Sequence, residues 1–183
     1  MKYIFLALTM FFSSSSTWAE SVAEFCNKVP AWPLGQLVPE YKSYIDAEVG
    51  TPIEPDFMKS KYRTSGWVFI DARGQDDRSV GKIPKTVLMT ADYRDPKLNE
   101  LTPDNFVTKV NQYLKKYQGA TKELSIEKLA HDYKFIIYCN GKKCHRSSYG
   151  ACLLRTKIGV PADNVHIMLG GFPEWKAAGY PVR

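Results

Sequence analysis

Between Lys134 and Arg155 an apolar run, a basic loop holding two cysteines and an amphipathic segment follow one another without a break. Phe135, Ile136, Ile137 and Tyr138 are β-branched or aromatic and read as a buried strand. Ser147 or Ser148 can cap a helix in which Tyr149, Cys152 and Leu153 share one face. The loop between opens with Cys139 and carries Asn140, Gly141, Lys142, Lys143, Cys144, His145 and Arg146. A thiol at the carboxyl end of a strand, facing a helix N-terminus, lies where loop N–H groups and the helix dipole favour negative charge. Thiolate is the nucleophilic form of cysteine, and neighbouring Lys and Arg favour it further. The same cradle suits an anion. The stretch therefore points to Cys139 attacking an anionic substrate, with Asn140 and Gly141 curling the backbone and Lys142, Lys143 and Arg146 holding the charge. His145 is a candidate acid or base.

The pattern around this stretch sets the fold class. Trp67–Ile70, Val87–Met89 and Val165–Leu169 read as strands. Pro103-Asp104 opens a helix in which Phe106, Val107, Val110, Tyr113, Leu114 and Tyr117 recur at helical spacing, and Gly119 ends it. Leu124, Ile126 and Leu129 form a second amphipathic patch, and a last short helix surrounds Trp175. Strands alternating with helices imply an α/β fold, with a mostly parallel central sheet flanked by helices. Ligands of such sheets sit beyond the carboxyl ends of the strands, where Asp71 and Cys139 both fall.

Residues 1–19 have the pattern of a secretory signal peptide: Lys2, an apolar core to Phe12, a Ser run, then Thr17-Trp18-Ala19 as a cleavage site. The expected location is secreted or periplasmic, an oxidising compartment in which thiols can pair. Residues 20–64 form a Pro-rich N-terminal extension with a short helical piece near Tyr41 to Glu48, and Trp32, Leu34, Leu37 and Tyr41 pack on the core. Residues 65–183 form one domain with a helical insertion around 92–132. The net charge of +6 is scattered, with no basic-aromatic stripe that would bind nucleic acid, and no membrane contact is expected once the signal is removed. Four cysteines, Cys26, Cys139, Cys144 and Cys152, leave three full pairings open. Cys152 reads as a buried small hydrophobe and Cys26 as free or paired with an unassigned partner.

The segment from Tyr138 to Arg155, followed by Asn164 to Val182, resembles the C-terminal half of a rhodanese (sulfurtransferase) domain. That family has a strand ending in a persulfide-forming cysteine, a six-residue loop, a helix, a further strand, Gly-Gly, a Trp and a Gly-Tyr-Pro-Val-like tail. Upstream, Asp71, Arg73, Gly81, Ile83 and Pro84 match its other signature, although Lys82 replaces the usual His and Lys85-Thr86 replace Gly-Ala. The resemblance spans roughly Trp67 to Arg183. It implies sulfane-sulfur transfer from a small anionic donor such as thiosulfate to cyanide, a thiol or a protein, with no cofactor and no metal. It implies Cys139 as the persulfide cysteine and Asp71 with Arg73 as organisers of the nearby structure, best read as a structural ion pair. Cys144 departs from the family, which more often has Arg, Ser or Thr there. It stands as a second candidate nucleophile, or as the partner of Cys139 in a disulfide, and a non-catalytic redox or binding module using that disulfide is the alternative. A phosphatase needs Cys, five residues, then Arg; here that position is His145 and Arg146 comes one place late. A thioredoxin-like reading lacks its Cys-x-x-Cys, and the spacing of Cys139, Cys144 and His145 matches no common closed zinc site.

Overall fold

The structure is a computed structural model that describes Glu24, Cys26 and residues 49–183, apart from Tyr93, Arg94 and Lys143. The signal segment, the helical piece expected near Tyr41 to Glu48 and the packing expected for Trp32, Leu34, Leu37 and Tyr41 lie outside the described residues.

The strands are β1 (Thr51–Ile53), β2 (Trp67–Asp71), β3 (Val87–Leu88), β4 (Lys134–Tyr138) and β5 (Val165–Met168). They form one five-stranded sheet in the order β1-β5-β4-β2-β3, and every pairing is parallel. β2 and β4 occupy the middle and are covered on both faces. That is why they read as continuous apolar runs instead of alternating ones. β1 has Pro52 at its centre. On an edge strand the missing N–H costs no ladder bond, so proline is tolerated there.

The helices are α1 (Pro55–Lys61), α2 (Pro103–Gln118), α3 (Ile126–Asp132), α4 (Arg146–Leu153) and α5 (Gly171–Ala177). α2 starts where Thr102 accepts the Asn105 N–H at 3.4 Å and stops at Gly119, whose φ of 72° is left-handed. Ring contacts assign the layers. Phe135 of β4 meets Phe106 of α2 at 5.3 Å between centroids. Phe69, one place out of phase with it in the ladder, faces Tyr62 at 5.8 Å, and Tyr62 in turn meets Trp175 of α5 at 5.7 Å. α1 and α5 therefore cover one face, and α2 and α4 the other. Gly150 lets α4 lie directly on the sheet, since a Cβ there would fall 2.4 Å from Ile137 Cδ1. The carboxyl-terminal segment is pinned by paired backbone bonds between Lys82 and Arg183, both 2.9 Å, and by Trp175 Nε1 donating to the Pro181 carbonyl at 2.8 Å.

Cys152 is bonded to Cys26. The expectation of a free, purely space-filling Cys152 is thus corrected: it is buried on the apolar face of α4, but as half of a disulfide. The partner lies 126 residues earlier, so no local pattern could have revealed it.

Candidate active site

The carboxyl end of β4 leads directly into Cys139, which is fully buried. The loop then turns at Gly141, at φ 111°, and the Gly141 carbonyl accepts the Cys144 N–H at 2.9 Å. α4 begins at Arg146, with His145 as N-cap, two residues before Ser147 and three before Ser148, and with no side-chain cap bond. Ser147 is inside the first turn. Its hydroxyl lies 3.2 Å from Cys139 Sγ, so it serves the sulfur in place of the helix end.

Gly170 and Gly171 close the site from the other side. A Cβ on Gly171, whose φ is 59°, would fall 2.2 Å from the Cys139 carbonyl oxygen and 2.5 Å from the Gly141 nitrogen. The Phe172 N–H donates to that same carbonyl at 2.8 Å. The Gly-Gly pair is therefore what allows β5 and α5 to buttress the cysteine loop from below.

The two cysteines are both free thiols and lie in contact, but their environments differ. The Cys139 thiol donates to the Cys144 carbonyl at 3.4 Å and hydrogen-bonds the Cys144 sulfur. Burial first, then the adjacent Cys144 sulfur, push its pKa well above the ordinary value, against the opposing pull of Ser147's hydroxyl and amide. Cys144 is partly exposed. Its pKa is lowered to about 6, chiefly because the Cys139 thiol donates to it. The N–H groups of Asn140 and Arg146 and the Arg146 charge add to this, and partial burial opposes it. The directions of the two shifts favour the charge on Cys144 and the proton on Cys139. The Asn140 and Arg146 amides and the Arg146 charge face Cys144, while the Ser147 hydroxyl and amide face Cys139. Cys139 lies too far inside, at the strand end, to face solvent.

The surrounding cations are engaged. Arg146 donates to Asp92 Oδ2 through Nε at 3.1 Å and Nη2 at 2.9 Å, and its Nη1 pairs with Asp77. His145 Nε2 is 3.5 Å from Asp92 Oδ1. Lys142 pairs with Glu174 at 2.9 Å on the exposed rim. Arg146 and Lys142, expected as open anion-holding charges, are therefore held by carboxylates, and Arg146 orders the loop as much as it charges it. The Asn140 N–H faces the Cys144 sulfur, the Gly141 carbonyl accepts the Cys144 N–H, and Lys143 lies outside the described residues. Asp71 and Arg73 form the expected structural ion pair, fully buried, at 2.9 Å. Arg73 also stacks on Phe172 at 4.3 Å and donates to the Asp77 carbonyl at 3.3 Å. It thereby carries the turn that brings Asp77 to Arg146. Asp77, Asp92 and Ser147 were not among the expected site residues. Ser147 stood in the right turn of the right helix, whereas the two aspartates come from separate connections with no spacing signal.

A thiolate over a helix N-terminus, at the carboxyl edge of a parallel sheet, is a site at which a group can be carried on sulfur. A rhodanese-like domain model matches residues 54–178, so the chain belongs to the rhodanese-like domain family. Similar solved structures include a Rhodopseudomonas palustris protein described as of unknown function and a possible tyrosine phosphatase. It is 16% identical with a TM-score of 0.47, covering 98% of this chain and 100% of that one. They also include a thiosulfate sulfurtransferase of Pseudomonas aeruginosa, 17% identical with a TM-score of 0.47, covering 78% of this chain and 22% of that one. A single-domain sulfurtransferase of Saccharomyces cerevisiae is 16% identical with a TM-score of 0.45, covering 74% of this chain and 98% of that one. No curated protein matches the sequence.

Proposed function

We propose that this chain is an exported sulfurtransferase that carries sulfane sulfur as a persulfide on Cys144. The observation that supports this reading is the state of Cys144: a partly exposed thiolate, stabilised by the Cys139 thiol and by the amides of Asn140 and Arg146. The thiolate attacks the outer sulfur of an anionic donor of the thiosulfate type. A new S–S bond forms on Cys144, the donor's S–S bond breaks, and sulfite leaves with its electron pair. The persulfide's outer sulfur then passes to a thiophilic acceptor such as cyanide, a thiol or a protein thiol, which regenerates the thiolate. The same loop amides face the charge before and after loading, so little reorganisation is needed. No step calls for a cofactor.

Export is supported by the signal-peptide pattern of residues 1–19 and by the Cys26–Cys152 disulfide, a bond that persists in oxidising compartments. Among the described residues no helix is long and apolar enough to cross a membrane.

The test is thiocyanate formation from thiosulfate and cyanide, with sulfite release followed in parallel. Cys144→Ser is expected to lose both. If Cys144→Ser keeps them and Cys139→Ser loses them, Cys139 is the carrier and the assignment is overturned.

A further inference from the structure

The mechanism above uses Cys139 only as a hydrogen-bond donor to Cys144, although it is a free thiol beside the sulfur that would carry the persulfide. We propose that Cys139 is a built-in resolving thiol, which attacks the Cys144 persulfide, expels sulfide and leaves a Cys139–Cys144 disulfide. The inference rests on the assignment of the persulfide to Cys144.

Three observations carry it. First, Cys139 Sγ lies 3.4 Å from the Cys144 carbonyl oxygen, which sets it beside Cys144 Sγ, the inner sulfur of the future persulfide. Attack there breaks the bond to the outer sulfur, whereas attack on the outer sulfur would only move the persulfide from one cysteine to the other. Second, Cys139 is fully buried, so no external nucleophile or alkylating impurity competes for it, while Cys144 is partly exposed. Third, the hydroxyl of Ser147, 3.2 Å away, and the Ser147 N–H both face Cys139 Sγ and can hold its charge as the proton leaves.

The step balances without an outside oxidant. The Cys144 persulfide anion and the Cys139 thiol become one disulfide and one hydrosulfide ion. The S–S bond within the persulfide breaks, the Cys139–Cys144 S–S bond forms, and the Cys139 proton leaves on the departing sulfur. The sulfane sulfur is reduced and the two cysteines are oxidised. A further turnover requires an external dithiol reductant to reopen the disulfide. Such a protein converts sulfane sulfur to sulfide at the expense of a dithiol, and cyanide or another acceptor competes with Cys139 for the same persulfide.

The experiment treats the full chain, with Cys139 and Cys144 reduced and the Cys26–Cys152 disulfide intact, with thiosulfate and no other thiol. Sulfide is trapped as a bimane adduct and the intact mass is read. The wild type is expected to release one sulfide per chain and to end two hydrogens lighter, with a Cys139–Cys144 cross-link in the digest. Cys139→Ser, and Cys139→Ala as a second variant, are expected to stay one sulfur heavier and to release none. If the wild type also retains the sulfur and releases no sulfide, the resolving role is overturned while the carrier role of Cys144 survives. If the folded Cys139 variants take up no sulfur, the carrier assignment falls and the inference falls with it.

Discussion

Cys139→Ala tests the electrostatics of the pair directly. The Cys139 thiol is the largest single cause that brings Cys144 from 9.0 to about 6. Removing it moves the Cys144 inflection upwards, towards its ordinary value. Full reversion sets the bound. A thiol of pKa about 6 is about 90% thiolate at pH 7, against about 1% for one of pKa 9, an advantage of roughly 90-fold. The thiolate of the more acidic thiol is also the weaker nucleophile, and at a Brønsted slope of about 0.45 the same change costs roughly 20-fold in intrinsic reactivity. The net gain at pH 7 is then only about fourfold, and at pH 9.5 the variant outruns the wild type by roughly 15-fold. The two rate–pH profiles therefore cross, between about pH 7 and 8 at this bound. The assay is iodoacetamide alkylation of Cys144, followed by peptide mass from pH 5 to 10. The wild type is expected to lose reactivity only below about pH 6, as its thiolate is protonated, and the variant at higher pH. A wild-type inflection near 9, or one that Cys139→Ala leaves in place, refutes the reasoning.

Other consequences follow from the same contacts. Gly171→Ala places a Cβ 2.2 Å from the Cys139 carbonyl at a left-handed φ of 59°. It is expected to cost about 1–3 kcal/mol in equilibrium denaturation and to depress sulfur transfer by shifting the loop. Asp92→Asn frees Arg146 from its two-pronged carboxylate contact, so KM for thiosulfate is expected to fall, as steady-state kinetics will show. Replacing Cys26 and Cys152 together by Ser opens a loop of 126 residues. In the chain-entropy model this costs up to about 5 kcal/mol, read as a lower denaturant midpoint, while Cys144 alkylation in the folded state stays unchanged.

Much of the fold was legible because its centre is written locally. The runs at Trp67–Ile70 and Phe135–Tyr138 are buried on both faces of a parallel sheet, so their apolarity is continuous and unambiguous. The Pro103 start and the Gly119 stop of α2 are local chemistry too. β1 escaped notice because three residues around a proline carry no periodic signal, and only β5 beside it makes them a strand. The site divided the same way. The cysteine loop and the helix after it stood out from spacing alone. The relative exposure of the two loop cysteines did not, because it depends on how deep β4 runs before the loop turns. Asp77 and Asp92 reach Arg146 from 69 and 54 residues away, a distance at which a single sequence holds no spacing rule.

The two cysteines lie in contact but have separate donors, the Asn140 and Arg146 amides at Cys144 and the Ser147 hydroxyl and amide at Cys139. Two thiolates in contact repel, so the pair gives up its first proton easily and its second only with difficulty. The charge goes to the sulfur with less burial and more amides, Cys144, and the retained proton on Cys139 is what holds it there. Loading reverses the balance. Once sulfur is bound, the negative charge sits one atom further out, Cys144 Sγ is neutral, and the repulsion that kept Cys139 protonated weakens. The Ser147 hydroxyl and amide, which in the unloaded protein only partly offset burial, then face a thiol whose ionisation costs less. On the proposed assignment, persulfide formation at Cys144 would thus arm Cys139, so that attack by the resolving thiol follows loading.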